Sequence, residues 1–121
     1  MGDRRNIIVE FSDEQSVALY THWSGYRTRE ILAAALDRGR GRWGDPTYLT
    51  RIIFSEMIQD EVLEETGYGI EPFKTGTSHY CEASPGYDLI VRPGERTVQG
   101  DDGGSGKTYG FEDFILKFKE D

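Results

Sequence analysis

Two short segments rich in apolar residues open the chain, with a polar tetrapeptide between them. They are NIIVEF (residues 6–11) and SVALYTHW (residues 16–23), in which β-branched and aromatic residues are abundant. This composition is typical of strands, and the intervening SDEQ (residues 12–15) is typical of a turn. The pattern predicts an antiparallel hairpin at the start of the fold.

Helical spacing replaces this pattern in residues 28–38. Thr28 is a candidate N-cap, Glu30 falls in the first turn, and Gly39 follows the last periodic position. The apolar positions that share one face are Ile31, Leu32, Ala35 and Leu36. We therefore expect a short amphipathic helix here.

A second helix is predicted after the Gly-interrupted basic connector RGRGRW (residues 38–43). Asp45 provides an N-cap, and Pro46 stands at the first helical position, where proline is well tolerated. Thr66 and Gly67 are typical of the end of a helix. The apolar stripe expected between these limits is Leu49, Ile52, Ile53, Phe54, Met57, Val62 and Leu63.

The second half of the chain returns to strand-like composition. SHYCEA (residues 78–83), YDLIVR (residues 87–92) and RTVQ (residues 96–99) are separated by SPG (residues 84–86) and PGE (residues 93–95). Proline and glycine at these positions are typical of tight turns. The sequence predicts a short three-stranded meander.

Glycine dominates the segment that follows the meander. Residues 100–106 contain four glycines, two aspartates and one serine, and therefore offer almost no apolar surface to bury. Beyond this segment, apolar residues recur at i, i+3, i+4 and i+7 in Phe111, Phe114, Ile115 and Phe118. This spacing predicts a closing helix.

Strands on both sides of two central helices predict an α+β fold. The expected order is β-β-α-α-β-β-β-α, with an antiparallel sheet and the two central helices packed on one of its faces. We expect residues 1–99 to form this domain, residues 100–110 a flexible Gly-rich linker and residues 111–121 a C-terminal helix. A chain of 121 residues with 36% hydrophobic content has enough apolar side chains for one core.

Charge and cysteine content narrow the classes of function. The chain has 14 Lys and Arg against 22 Asp and Glu, a formal net charge of -8, which disfavours generic nucleic-acid binding. The single cysteine, Cys81, cannot form an internal disulfide, and no signal-peptide pattern precedes the first strand. Apolar runs such as IIV (residues 7–9) are far shorter than the roughly 20 residues that span a bilayer. We expect a cytoplasmic protein with no membrane partner.

The sequence DDGGSGKT (residues 101–108) ends like a phosphate-binding loop. In the pattern G-x-x-x-x-G-K-[ST], however, the first glycine coincides with Asp101, and Tyr109-Gly110 interrupts before the helical pattern begins. The aspartates would also repel phosphate groups. We interpret this segment as part of the linker and exclude a nucleotide-hydrolase site.

A candidate binding edge lies in YTHWSGYR (residues 20–27), where the second predicted strand meets the first helix. Free N–H groups at a helix start favour anions, and nearby positive charge is expected from Arg27, Arg29, Arg38, Arg40, Arg42 and Arg51. Flat faces on which a base can stack are expected from Tyr26, Trp43, Tyr48 and Tyr68. The predicted site for a small anionic ligand comprises His22, Trp23, Ser24, Gly25, Arg27, Trp43 and Arg51. Alternatively, the aromatic residues are core or rim anchors and the arginines only solvate helix ends.

Candidate catalytic groups are few. His79 and Cys81 share one face of a predicted strand, which fits a nucleophile–base pair or part of a metal site and equally fits two ordinary neighbours. Two histidines and one cysteine are fewer than the four ligands of a structural zinc site. We therefore assign no catalytic residue, no metal and no cofactor. An acidic run is interpreted as a solvated face or as a surface for a basic partner: Glu56, Asp60, Glu61, Glu64 and Glu65.

Several segments of the chain carry a resemblance to other proteins. LYTHWSGY, GRGRWGDPTYLTRIIFSEMIQD, ETGYGI and YDLIVRPGERTV, in this order, resemble a group of small proteins encoded by actinobacteria and their phages, over residues 9–98. No activity is known for that group. The resemblance implies a phage-type origin, and with it the host cytoplasm as the location.

Three classes of function remain. The favoured hypothesis is a non-enzymatic accessory protein that sequesters a small anionic, nucleotide-like ligand, in a site that a homo-oligomer could complete. The first alternative is an acidic inhibitor of a host protein that imitates nucleic acid. The second is a small enzyme that uses His22 or the pair His79 and Cys81.

Overall fold

The computed structural model describes residues 5–21, 27–75, 89–100 and 107–119, and these form an α+β fold, as predicted. The predicted strand at residues 78–83 and the turn after it lie outside the described residues. None of the described helices combines the length and apolar character needed to cross a membrane. The elements in chain order are β1 (Arg5–Glu10), β2 (Gln15–Thr21), α1 (Thr28–Arg38), a 3-10 turn (Arg40–Arg42), α2 (Pro46–Ile58), β3 (Tyr68–Lys74), β4 (Leu89–Arg92), β5 (Thr97–Gly100), β6 (Lys107–Gly110) and α3 (Phe111–Phe118).

The sheet is mixed and the described elements follow the order β-β-α-α-β-β-β-β-α. The predictions of an antiparallel sheet and of the order β-β-α-α-β-β-β-α are therefore wrong. The described strands lie in the order β3-β2-β1-β4-β5-β6, and β1 pairs with β4 in parallel while every other neighbouring pair is antiparallel. The chain passes from β3 at one side of the β1–β2 hairpin to β4 at the other side. Since β3 and β4 both run in the direction of β1, this crossing makes the central pair parallel. The predicted hairpin and the turn at residues 93–95 are confirmed.

The starts of the two central helices follow from local sequence. Asp45 caps α2 through its side-chain oxygen, which accepts a hydrogen bond from the backbone N–H of Tyr48 at 3.4 Å, and Pro46 is the first helical residue, as predicted. Thr28 is not the N-cap of α1. It is the first residue of the helix and is only 2% exposed, and Arg27 takes the cap position without a side-chain cap.

Helix α2 ends at Ile58, and the prediction that Val62 and Leu63 extend it is wrong. The buried stripe of α2 falls at Leu49, Ile53 and Met57. The next positions on that stripe, 60 and 61, are acidic, so a further turn would have nothing apolar to bury. Val62 and Leu63 are accordingly 65% and 91% exposed.

Strand β3 occupies residues for which the sequence predicts no strand, because Gly69 and Pro72 are unfavourable within strands. Along a strand, the backbone groups of successive residues point alternately toward and away from the neighbouring strand. The backbone N–H of Thr75 donates to the carbonyl oxygen of Glu14 at 3.1 Å, so the backbone groups of Pro72, three residues earlier, point away from β2. A proline on that outer edge removes no hydrogen bond from the β2–β3 ladder. Gly69 makes room for the Tyr20 ring, since a Cβ there would lie 2.1 Å from a ring carbon.

One hydrophobic core joins the three helices to one face of the sheet. Helix α1 packs against both α2 and α3, and α3 contributes Phe111 and Phe114, which are 2% and 0% exposed. The predicted closing helix is confirmed, and it belongs to the same core as α1 and α2. The strand side chains in this core are Ile7, Val9, Leu19, Leu89, Val91 and Val98.

Strand pairing reaches into the segment 100–110 that the sequence predicts to be a linker. Gly100 ends β5, and Lys107–Gly110 form β6, which pairs with β5 in antiparallel register. Residues 101–106 lie outside the described residues. The last four residues of the segment are therefore sheet, and they lead directly into α3.

Candidate anion-binding site

The site residues predicted from the sequence do not all come together. His22, Trp23, Ser24 and Gly25 lie outside the described residues. Arg27 precedes α1, whereas Trp43 contacts Leu36 near the other end of that helix, so Arg27 and Trp43 lie at opposite ends of α1. The side chain of Arg51 is exposed on α2 and makes no hydrogen bond or ion pair with any described residue.

Trp43 is a fixed aromatic surface at the C-terminal end of α1. Its indole Nε1 donates a hydrogen bond to the carbonyl oxygen of Leu36 at 2.8 Å. Its ring meets the ring of Phe111 edge to face, with centroids 5.1 Å apart and an interplanar angle of 73°. The half-buried indole is thus held on two sides, by α1 and by α3, which leaves a rigid partner for groups at the surface.

Three guanidinium groups lie over two aromatic rings, the indole of Trp43 and the phenol ring of Tyr48. Those of Arg40 and Arg96 lie 5.4 Å and 6.0 Å from the centre of the Trp43 ring, and that of Arg42 lies 4.5 Å from the centre of the Tyr48 ring. These distances are in the range of cation–π contacts. We call these five residues, Arg40, Arg42, Trp43, Tyr48 and Arg96, the basic-aromatic cluster.

The three arginines of the cluster differ in their partners. Arg40 is paired with Asp37 at 2.8 Å and with Glu112, and hydrogen bonds to these carboxylates raise the pKa of Arg40. The side chains of Arg42 and Arg96 make no hydrogen bond or ion pair with any described residue. Each guanidinium carries five N–H donors, so these two side chains offer open hydrogen-bonding capacity beside flat aromatic rings.

Local structure explains why Arg42 has no acidic partner. The nearest acid in sequence is Asp45, and its side-chain oxygen faces the backbone N–H of Tyr48 as the N-cap of α2. The backbone N–H of Asp45 also donates to the carbonyl of Arg42 at 3.0 Å, which closes the turn between them. The capping role directs this carboxylate toward the helix and leaves the Arg42 guanidinium on the Tyr48 ring.

Arg96 holds an unusual backbone conformation, with a φ of 58°. Arg96 ends the turn between β4 and β5. In this turn the N–H of Glu95 donates to the carbonyl of Arg92 at 3.1 Å, and the N–H of Arg96 donates to the carbonyl of Pro93 at 3.3 Å. The left-handed region costs a non-glycine residue about 1–2 kcal/mol, and glycine is the usual occupant in hairpins. Residues held in sparsely populated backbone conformations cluster at functional sites, so Arg96 is a candidate for one.

Trp43 belongs to the site predicted from the sequence, and Arg40, Arg42 and Tyr48 are among the basic and aromatic residues expected near it, but Arg96 is not predicted. The first four are close together in the chain, whereas Arg96 reaches the cluster only through the pairing of β4 with β5 and the hydrogen bond from the Phe111 N–H to the Arg96 carbonyl at 2.9 Å. A basic residue directly after Pro-Gly-Glu, where a hairpin favours glycine, is the one local signal that marks it.

The described residues contain no group of three or more His, Cys, Asp or Glu side chains placed to hold a metal ion. His22, His79 and Cys81 all lie outside the described residues. What the basic-aromatic cluster can do chemically is bind an anion through guanidinium donors and stack a planar group on an aromatic ring.

Comparison with known proteins adds no assignment to this cluster. No family model matches the chain, and neither does any curated protein or solved structure. The geometry of the cluster and the charge of the chain are therefore the grounds on which its function can be inferred.

Proposed function

We propose that this protein is a non-enzymatic binder of a small, planar, anionic ligand of the nucleotide class, and that the basic-aromatic cluster is its binding site. One observation carries the proposal: Arg42 and Arg96 hold guanidinium groups beside aromatic rings, without a carboxylate partner among the described residues. A phosphate group would accept hydrogen bonds from these guanidiniums. A base would stack on the exposed ring of Tyr48, which is 51% exposed.

The charge of the whole chain favours a small ligand over a polymer. The formal net charge is -8, and the cluster is bordered by Asp37 and Glu112, which already neutralise Arg40. A nucleic acid that extended beyond the cluster would meet a negative surface and be repelled. A ligand with one or a few phosphate groups needs only the local positive charge of Arg42 and Arg96.

A sequestering role fits such a site, because guanidinium donors and aromatic rings bind a ligand without reacting with it. The resemblance to small proteins of actinobacteria and their phages supports an accessory role of this kind in a host cytoplasm. The proposed site keeps Trp43 from the site predicted from the sequence and adds Arg40, Arg42, Tyr48 and Arg96 to it.

Calorimetric titration tests the proposal directly. The probes are inorganic pyrophosphate, nucleoside monophosphates and nucleoside triphosphates. We expect saturable binding of at least one nucleotide, weakened about 10-fold or more by Arg42→Gln and by Arg96→Gln, since a hydrogen bond to a charged group contributes about 1.5–3 kcal/mol. Lys117→Gln is the control, because it removes one positive charge from the exposed side of α3.

Two outcomes would contradict the proposal. One is binding that survives both cluster substitutions and weakens only in Arg51→Gln, which would place the ligand on the outer face of α2. The other is the absence of saturable binding for every probe in the panel, with the protein folded as judged by its thermal unfolding transition.

A further inference from the structure

A second surface lies at the opposite end of the α1–α2 pair, after α2 ends. Residues 59–67, here called the post-helical loop, expose two adjacent apolar side chains, Val62 at 65% and Leu63 at 91%. Two backbone hydrogen bonds hold the loop. The N–H of Glu61 donates to the carbonyl of Ile58 at 2.7 Å, and the N–H of Glu64 donates to the carbonyl of Glu61 at 3.0 Å. A leucine held almost fully in solvent by a hydrogen-bonded loop contributes nothing to the core of this protein, and it is available to a partner.

A pocket of about 170 Å³ opens next to the post-helical loop, between the start of α1, the end of α2 and the start of β3. Its apolar lining comes from Ile31, Met57 and Tyr68, and its polar lining includes Glu56, Asp60 and Glu61. Small-molecule sites usually enclose about 300–1,000 Å³. The lining is mostly polar, since Ile31 and Met57 are nearly buried. A pocket of this smaller size suits one long side chain, whose positive end meets the acidic groups and whose stem reaches the few apolar atoms.

The acidic side chains of the pocket favour a cationic group. Asp60 and Glu61 form no side-chain ion pair with any described residue, and they lie at the C-terminal end of α2, where the helix dipole is already negative. Glu56 is paired with Arg38 at 3.1 Å. Among the described residues, Arg27 is the one basic residue that lines the pocket, and its Nε already faces Glu30 at 3.9 Å.

We propose that this surface docks a basic segment of another protein, with an arginine or lysine side chain in the pocket and a neighbouring apolar residue against Leu63. The cationic end would lie beside Asp60 and Glu61 at the C-terminal end of α2, where the helix dipole is negative. The apolar stem would contact Ile31, Met57 and Tyr68. Complementary charge specifies the partner's basic character, and the exposed Val62 and Leu63 specify the apolar neighbour.

Selection from a displayed library of random 12-residue peptides tests this inference on the intact chain. We expect enriched peptides to carry Arg or Lys within two positions of Leu, Ile, Val or Phe. Binding of an enriched peptide should weaken at least 5-fold in Asp60→Asn/Glu61→Gln and in Leu63→Ser. The matched control is Glu64→Gln/Glu65→Gln, which removes the same charge from the loop outside the pocket and should weaken binding less than 2-fold.

The position of the bound peptide is mapped by NMR on protein labelled in its methyl groups. Shifts at the methyls of Met57, Ile31 and Leu63 support the proposal. It is overturned if no peptide is enriched, if acidic peptides bind equally well, or if the control pair weakens binding as much as the pocket pair. Concentration-dependent shifts without peptide would also overturn it, because a second copy of this chain would then fill the pocket. Arg42→Gln and Arg96→Gln should leave peptide binding unchanged, which separates this test from that of the nucleotide site.

Discussion

At the scale of single residues, Arg96 links backbone strain to the proposed site. Its φ of 58° is a conformation that favours glycine. We expect Arg96→Gly to be more stable than Arg96→Ala by about 1 kcal/mol, because alanine keeps the left-handed strain and glycine relieves it. Urea denaturation measures the difference. Both variants lack the guanidinium group and should lose nucleotide binding to the same extent.

Comparison of Arg96→Gly with Arg96→Ala therefore separates the role of the backbone at position 96 from the role of the side chain. Equal stabilities for the glycine and alanine variants would show that position 96 is not held in the left-handed region. Single residues of this kind are where sequence inference is weakest. The cap at Asp45 could be predicted, because its partner Tyr48 lies one turn away, whereas the neighbour of Arg96 in space is Trp43, far away in the chain.

At the scale of elements, the end of α2 can be tested with two leucines. Leu49 is fully buried in α2, and Leu63 is 91% exposed in the post-helical loop. We expect Leu49→Ala to lower the free energy of unfolding by about 2–5 kcal/mol, the usual loss for a core leucine. Leu63→Ala should change it by less than about 0.5 kcal/mol. A loss above about 1 kcal/mol for Leu63→Ala would mean that the apolar stripe continues beyond Ile58.

The elements that could be predicted are those whose signal is local. Helices α1 and α3 follow from apolar spacing, and the start of α2 follows from the Asp45 cap and from Pro46 at the first helical position. Strand β3 could not be predicted, because Gly69 and Pro72 are acceptable only at positions that the neighbouring strand defines. The parallel pairing of β1 with β4 depends on the side of the sheet to which the chain returns after β3. The composition of the strands does not predict that side.

At the scale of the whole molecule, the α1–α2 pair separates two surfaces of opposite charge. The basic-aromatic cluster lies where α1 ends and α2 begins, and the pocket beside the post-helical loop lies where α1 begins and α2 ends. A chain of net charge -8 can bind an anion only where its acids are directed elsewhere. Asp37 and Glu112 pair with Arg40, and Asp45 caps α2, so Arg42 and Arg96 stay open.

An ion network at the edge of the cluster connects α1 to α3 and makes stability depend on pH. Asp37 accepts hydrogen bonds from Lys119 and Arg40, which lower the pKa of the Asp37 carboxyl below its usual value of 3.8. A carboxyl whose folded-state pKa is lowered stabilises the fold above the unfolded-state pKa, and this contribution disappears as the pH falls through the folded-state value. Asp37→Asn should therefore be less stable than the unsubstituted protein near neutral pH, and the difference should vanish in strong acid.

Thermal unfolding of both proteins between about pH 7 and about pH 2 measures this difference, over the range in which carboxyl groups titrate. Asp13→Asn is the matched control, because Asp13 lies in the exposed turn between β1 and β2 and pairs with no described cation. Its stability should follow that of the unsubstituted protein at every pH. A difference in stability between Asp37→Asn and the unsubstituted protein that stays constant down to the lowest pH would contradict this prediction. The loss of stability would then come from the shape or hydrogen bonding of the asparagine amide, and the charge of Asp37 would not stabilise the contact between α1 and α3.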